Sequence, residues 1–197
     1  MTKAERMKLI RERLANRNPK PFQTEADKRA AKSQKARRKG EAFQKLIAAD
    51  LQKIGKPFGF EESDIRSRSV TGHGEDIIFS RDTWYRFGKP WIECKHYCRD
   101  FNVKSIFKKH AQKCDHKQKY AHKGIPILVH RCDYQPIFAT MRQDDLIALS
   151  EELPESWLRT EDVVTVPWDS FLRLLSSKVG AGGPVEPIFE VDEDIPF

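Results

Sequence analysis

The heptapeptide "WIECKHY", residues 91–97, constrains the fold of this chain more than any other stretch. In an extended strand, residues two apart face the same side, so Glu93 and Lys95 project together while Ile92 and Cys94 face the other way. A chain that forms this strand puts one face into an apolar core and must account for charge on the other. Upstream, Ile77, Ile78 and Phe79 read as a second strand with Asp76 at its start. Trp84 to Phe87, the "GKP" turn and "WIECKHY" are expected to form the return strand of a hairpin, which would carry Asp76 to the side of Glu93.

Two carboxylates with a lysine nearby are costly to bury unless something between them carries charge. A divalent metal meets that requirement. Asp76 and Glu93 supply hard oxygen ligands, water and a phosphate oxygen complete the shell, and the bound water becomes a better nucleophile. Lys95 then orients that water or stabilises charge on the phosphate. The plainer reading is a Glu93–Lys95 ion pair on an exposed sheet face, which contributes little. The apolar neighbours Ile77, Ile78, Phe79, Ile92 and Cys94 argue for an interior strand pair instead.

Around this pair the hydrophobic pattern alternates between helix and strand. In "EAFQKLIAADLQKIGK", Phe43, Leu46, Ile47, Leu51 and Ile54 recur at helical spacing and Gly55 ends the run, with Glu41, Gln44 and Ala48 on a neighbouring face. A second helix is predicted over residues 101–124, with Val103, Ile106, Phe107, Ala111 and Cys114 buried and its lysines and histidines outward. Strands are predicted over 125–130, 136–141 and 162–166, with helices near "DDLIALSEEL" and from "WDSFLRLL". The sum is an α/β fold with a mixed central sheet flanked by helices.

Taken in order, these elements resemble the PD-(D/E)XK nuclease superfamily, in particular its small phage-type endonucleases related to Holliday-junction resolvases. Members carry a helix with a Gly-x-x-x-Gln or Glu signature, then Gly-Glu-Asp, Glu-Cys-Lys, a helix bearing Gln, and an apolar strand. The matching residues are Gly40 with Gln44, Gly74-Glu75-Asp76, Glu93-Cys94-Lys95, Gln112 in "KKHAQK", and "GIPILVH", over roughly residues 39 to 150. The resemblance implies a restriction-endonuclease-like core and hydrolysis of DNA phosphodiesters. It further implies Mg2+, with Mn2+ able to substitute, held by Asp76, Glu93 and the Cys94 carbonyl, and catalysis by Asp76, Glu93, Lys95, Gln44 and Gln112. Glu75 stands beside Asp76 in the motif, and Glu41 competes with Gln44 for the helix position, where spacing favours Gln44.

Charge divides the chain in three. Residues 1–39 hold 14 Lys and Arg against 4 acids, residues 186–197 hold 5 acids and no base, and the part between is nearly balanced. The reading is a basic, helical N-terminal arm (1–39), a nuclease domain (40–178), and a flexible linker with an acidic peptide (179–197). Arg37, Arg38 and Lys39 in the arm, with Lys108, Lys109 and Lys113 on the later helix, are the expected contacts to DNA phosphates. The charged start "MTKAERMKLIRERL" lacks the apolar run of a secretory signal, and no stretch reaches bilayer length. The expected setting is therefore a reducing cytoplasm, that of a bacterial host for a phage or bacterial protein, with no membrane partner and with the four cysteines as thiols. Cys98, Cys114 and Cys132 with His96, His110, His116 and His130 raise a zinc site, His110 and Cys114 sharing a helix face, but no CxxC pair exists and thiols are the favoured reading. Trp84, Trp91, Trp157 and Trp168 read as core or rim.

The ending "FEVDEDIPF" resembles the C-terminal tip of bacterial single-stranded-DNA-binding proteins, whose acids and final Pro-Phe dock in a basic-rimmed apolar pocket on replication and repair enzymes. That resemblance assigns Asp192, Glu193, Asp194, Ile195, Pro196 and Phe197 to partner binding. The expected function is metal-dependent DNA cleavage in recombination, repair or replication, with DNA and tip-binding proteins as partners and a homodimer left open. The rival expectation is a non-catalytic DNA-binding adaptor that carries the tail to host proteins.

Overall fold

Thr24 and Asp27 start the longest helix by exchanging hydrogen bonds: the Asp27 N–H donates to Thr24 Oγ1 (3.1 Å) and the Thr24 N–H to Asp27 Oδ2 (2.9 Å). This reciprocal cap satisfies donors that a helix start otherwise leaves open. In the computed structural model, residues 5–7, 24–68, 75–117, 124–149 and 162–181 are described. The helix so begun, α1, spans Glu25–Gly55 and runs through Gly40 without a break. The chain divides into two units, Met1–Arg38 and Lys39–Phe197. In the first, the described residues are helical apart from Thr24, and all are exposed.

In the second unit, α1 buries Phe43, Ile47, Ala48 and Leu51, while Leu46, expected in the stripe, is among the exposed large apolar residues. The buried face is thus centred one position further round the helix, where Ala48 permits close approach. Gln52 ties the helix to the segment leading into the first strand, its amide donating to the carbonyls of Glu62 (3.1 Å) and Ile65 (2.7 Å). Strands β1 (Ile65–Ser67) and β2 (Ile77–Phe79) pair antiparallel as a small separate sheet.

The expected return strand over Trp84 to Phe87 is corrected. Arg81–Arg86 form a short helix, α2, which Phe87 and Gly88 close. Gly88 has φ +78°, and a Cβ there would come 2.5 Å from Leu149 Cδ2, so both backbone conformation and space demand glycine in the "GKP" turn. Strand β3 (Pro90–Tyr97) then pairs not with a hairpin partner but in parallel with β4 (Ile125–Cys132), across helix α3 (Val103–Lys117). Strands β5 (Phe138–Arg142) and β6 (Val163–Pro167) follow antiparallel, with helix α4 (Gln143–Leu149) between them and α5 (Trp168–Ala181) last. The sheet order is β3-β4-β5-β6. The fold is mixed α/β, a mixed four-stranded sheet flanked by helices.

Alternation along β3 sorts the two faces. Ile92 and Cys94 join Ile127, Val129, Ala139, Met141, Val164 and Val166 in a core shared with Phe43, Ile47 and Leu51 of α1 and Phe171, Leu175 and Val179 of α5. On the other face Phe107 and Ala111 of α3 pack on Leu128. Truncating one of the fully buried aliphatics, Ile47 or Leu51 for example, removes about 2–5 kcal/mol of stability. Helix α5 runs to Ala181 and buries Val179, past the body boundary expected at 178. All four cysteines are free. Among the described residues no helix is long and apolar enough to cross a membrane. Residues 182–197, which include the expected linker and tail residues Asp192 to Phe197, lie outside the described residues, as do Gly74 and Trp157.

Candidate active site at the sheet edge

Strand β3 is the edge of the four-stranded sheet, and the groups along that edge define the site. The Asp76 N–H donates to the Ile92 carbonyl (2.8 Å), and the Asp76 carboxylate accepts the Cys94 N–H through Oδ2 (2.7 Å). The start of β2 is thereby held beside β3, so the expected nearness of Asp76 to the Glu-Cys-Lys stretch arises without a hairpin.

Backbone geometry also places the Cys94 carbonyl. In a strand the N–H and C=O of one residue point to the same edge. The carbonyls of Lys89 and Tyr97 accept from Ile125 and Asp133 at either end of β4, so odd-numbered residues of β3 face that strand. Cys94 faces the opposite edge, and its carbonyl opens beside the Asp76 carboxylate. Its side chain is in the core, where burial pushes the thiol well above its ordinary pKa, with Asp76 and Glu93 adding to the effect.

Glu93 and Lys95 share the other face of β3 and form an ion pair, Lys95 Nζ to Glu93 Oε1 at 2.5 Å. Burial works against the Lys95 charge, but the hydrogen bond to Glu93 and the charges of Glu93 and Asp76 outweigh it and hold the ammonium above its ordinary pKa. Burial raises the Asp76 carboxyl and Glu93 raises it further, against the Cys94 N–H, Lys95 and a hydrogen bond from the Gln44 side chain. Gln44, from α1, is thus placed near Asp76. Glu75 is turned to a different partner: Arg68 donates to its carboxylate (2.8 Å) and to its carbonyl (2.7 Å).

Helix α3 contributes a residue that its sequence pattern had placed outward. His110 is buried, its Nε2 lies 3.0 Å from the Trp91 carbonyl, and its Nδ1 lies 3.8 Å from Glu93 Oε2. A carbonyl only accepts, so the proton sits on Nε2 and the Nδ1 lone pair is turned towards Glu93. Burial lowers the pKa of this ring, against the pull of Glu93 and the Trp91 carbonyl. The signal was in the spacing: residues 107, 110, 111 and 114 share one helical face. Gln112, two positions on and across the helix, is exposed.

The expected phosphate contacts divide likewise. Arg37 and Arg38 are exposed, as are Lys108, Lys109 and Lys113 on α3. Lys39 differs in having an acidic partner: its ammonium is ion-paired with Asp133 and also lies 3.5 Å from Cys98 Sγ, and the Asp133 hydrogen bond raises its pKa, against burial. Among the described residues no group of three or more His, Cys, Asp or Glu is placed to hold a metal ion, and Cys114, whose S–H points to the Gly124 carbonyl (3.8 Å), is fully buried on the apolar side of α3.

The arrangement presents two carboxylates and a backbone carbonyl as hard oxygen donors, a charged lysine, a carboxamide holding one carboxylate, and a neutral imidazole beside the other. Such a set can bind a small hard cation together with a phosphate ester. Comparison with protein families, with curated proteins and with solved structures finds no match in any of the three.

Proposed function

We propose that the chain is a metal-dependent endodeoxyribonuclease with a restriction-endonuclease-like core, akin to the small phage-type members of the PD-(D/E)XK superfamily and acting in DNA recombination, repair or replication. The observation that carries this reading is the convergence of Gln44 from α1, Asp76 from the start of β2, and Glu93 and Lys95 from β3, with the Cys94 carbonyl beside them. A surface ion pair alone gives no reason for Asp76 and Gln44 to be there.

The donors fit Mg2+, with Mn2+ as a substitute. Mg2+ is bound through one or two carboxylates and keeps several waters, so it does not require a cluster of three or more protein side chains. A carboxyl raised by burial and by a second carboxylate is also one that a cation would stabilise in its charged form. When bound, the ion lowers the pKa of a water and polarises the phosphate. The protein's own part is positional and electrostatic. Asp76 and Glu93 hold the ion's place, Gln44 and the Cys94 N–H fix the Asp76 carboxylate, and the Lys95 ammonium stabilises charge that grows on the phosphate. Arg37, Arg38, Lys108, Lys109 and Lys113 neutralise phosphates along the strand.

The experiment is incubation of the purified full chain with matched branched, single-stranded and duplex DNAs, with Mg2+ or with EDTA. Cleavage with Mg2+ and none with EDTA is the expected result. Tight DNA binding with no cleavage of any substrate in Mg2+ or Mn2+ would favour the adaptor instead. The same reading gives the acidic end its part, with residues Asp192 to Phe197 docking on enzymes that recognise the single-stranded-DNA-binding protein tip. Deleting Phe197 is expected to abolish that contact, because its ring supplies the apolar anchor.

A further inference from the structure

Beside the site lies a cleft of about 290 Å³ whose walls include Trp84, Trp91, Pro90, Arg81 and Glu75. Its volume is at the lower end of the range for sites that hold small organic ligands. Two of its lining residues are tryptophans. Trp84 is fixed by its own N–H, which donates to the Pro90 carbonyl (3.0 Å), and both tryptophans are half-buried, so each offers surface to the cleft. Arg81 is exposed, and Glu75 is tethered by Arg68.

The cleft is continuous with the site along two elements. Glu75 precedes Asp76, and Trp91 lies two residues before Glu93 on the same face of β3, roughly 6.6 Å along the strand. His110 braces this segment by bonding the Trp91 carbonyl while facing Glu93. A phosphodiester at Asp76 and Glu93 therefore has its neighbouring nucleotide beside the indoles.

We propose that this cleft is a nucleobase subsite: it takes one unpaired base of the DNA strand, stacked on Trp91 and Trp84, next to the phosphate that is cut. The inference rests on the nuclease reading and narrows its substrate class. A base within a matched duplex has both faces covered by its neighbours and cannot enter an indole-walled cleft, whereas an unpaired base has faces to offer. Arg81 meets the phosphate of that nucleotide, and the Glu75 carboxylate accepts from a base amino group. The substrate is then DNA with an unpaired nucleotide at the scissile position, as in a flap, a bulge or a branch point, in preference to continuous duplex.

The test uses the full-length protein in EDTA, so that binding is read without cleavage, and short oligonucleotides carrying the fluorescent base 2-aminopurine at successive positions of a single-nucleotide bulge and its flanks. The wild type quenches the probe at one position only. Trp91→Leu loses that quenching and binds bulged DNA roughly tenfold more weakly, or worse, while its affinity for matched duplex is unchanged. Trp91→Phe keeps most of both. Absence of position-specific quenching by the wild type overturns the proposal, whether or not Trp91→Leu folds, and so does wild-type affinity of a folded Trp91→Leu for bulged DNA. Quenching without any cleavage in Mg2+ leaves the subsite standing and removes the nuclease reading alone. Cleavage of matched duplex as fast as bulged DNA, unaffected by Trp91→Leu, does the reverse.

Discussion

The carboxylate of Asp76 accepts a 2.7 Å hydrogen bond from the backbone N–H of Cys94, 18 residues further along the chain. That contact joins the small sheet to the large one, on the edge of β3 to which the Cys94 carbonyl also points. It explains why a cysteine stands between Glu93 and Lys95: the side chain fills the core while the backbone serves the site.

His110 and Gln112 lie two apart on α3 and are expected to behave as opposites. His110→Ala removes the ring's hydrogen bond to the Trp91 carbonyl and a buried side chain, and should cost roughly 1–2 kcal/mol of stability. It should also lower the turnover of DNA cleavage, because the residue positions Glu93, while leaving the affinity for matched duplex nearly unchanged, because it meets no phosphate. His110→Gln, which can still donate to the carbonyl, should restore much of the loss. Gln112→Ala should change neither quantity. Urea unfolding and steady-state cleavage of one labelled substrate check all three.

Lys39 and Arg38 are neighbours with different expected effects on the salt dependence of DNA binding. Arg38→Ala should reduce the slope of log affinity against log salt by about one, as removal of one phosphate contact does. Lys39→Ala should leave the slope unchanged, because its ammonium is held by Asp133, and should instead lower the melting temperature. A binding titration over a salt series, with a thermal melt of each variant, separates the two.

His130 gives the fold a pH dependence of known sign. Its Nε2 lies 2.9 Å from Thr140 Oγ1, which in turn lies 2.7 Å from Thr165 Oγ1, and burial brings its pKa down to about 4. The folded pKa is below the unfolded value of about 6.5, so the unfolded chain binds the proton first. The contribution to stability is full above pH 6.5 and is lost as pH falls towards 4, by roughly 3 kcal/mol. Denaturant unfolding from pH 7 to pH 4 should show a shallower decline in His130→Gln than in the wild type.

Much of this was legible in the sequence, and the failures have particular causes. The alternation of Ile92 and Cys94 with Glu93 and Lys95 fixed which face of β3 is core, and the order of helices and strands from Val103 onward follows the hydrophobic period closely. The segment Trp84 to Phe87 misled because aromatic residues favour strands by propensity, whereas here they follow a turn of helix begun at Arg81. Pairing of β3 with β4 rather than with β2 is a long-range choice that local pattern does not encode. Gln112 was placed in the site by motif order, which carries no information about helix face. The helical period around Phe107 and Ala111 does carry it, and it points to His110. Lys39 looked like one more arm charge because its partner, Asp133, is far away in the chain.

The central claim is that Asp76, Glu93 and Lys95 form one metal-dependent hydrolytic site. The most direct measurement is the rate of cleavage of a labelled branched DNA as Mg2+ is titrated, for the wild type and for Asp76→Ala, Glu93→Ala, Lys95→Ala and Glu75→Ala. The wild type should cleave in proportion to bound ion, and Glu75→Ala, which loses only a contact to the unpaired base, should keep the same Mg2+ dependence with weaker DNA binding. Asp76→Ala and Glu93→Ala should show no cleavage at any Mg2+ concentration, and Lys95→Ala should be slower by at least about 10²-fold, all three remaining folded and able to bind DNA. Full activity in folded Asp76→Ala and Glu93→Ala, or cleavage by the wild type that persists in EDTA, would contradict the claim.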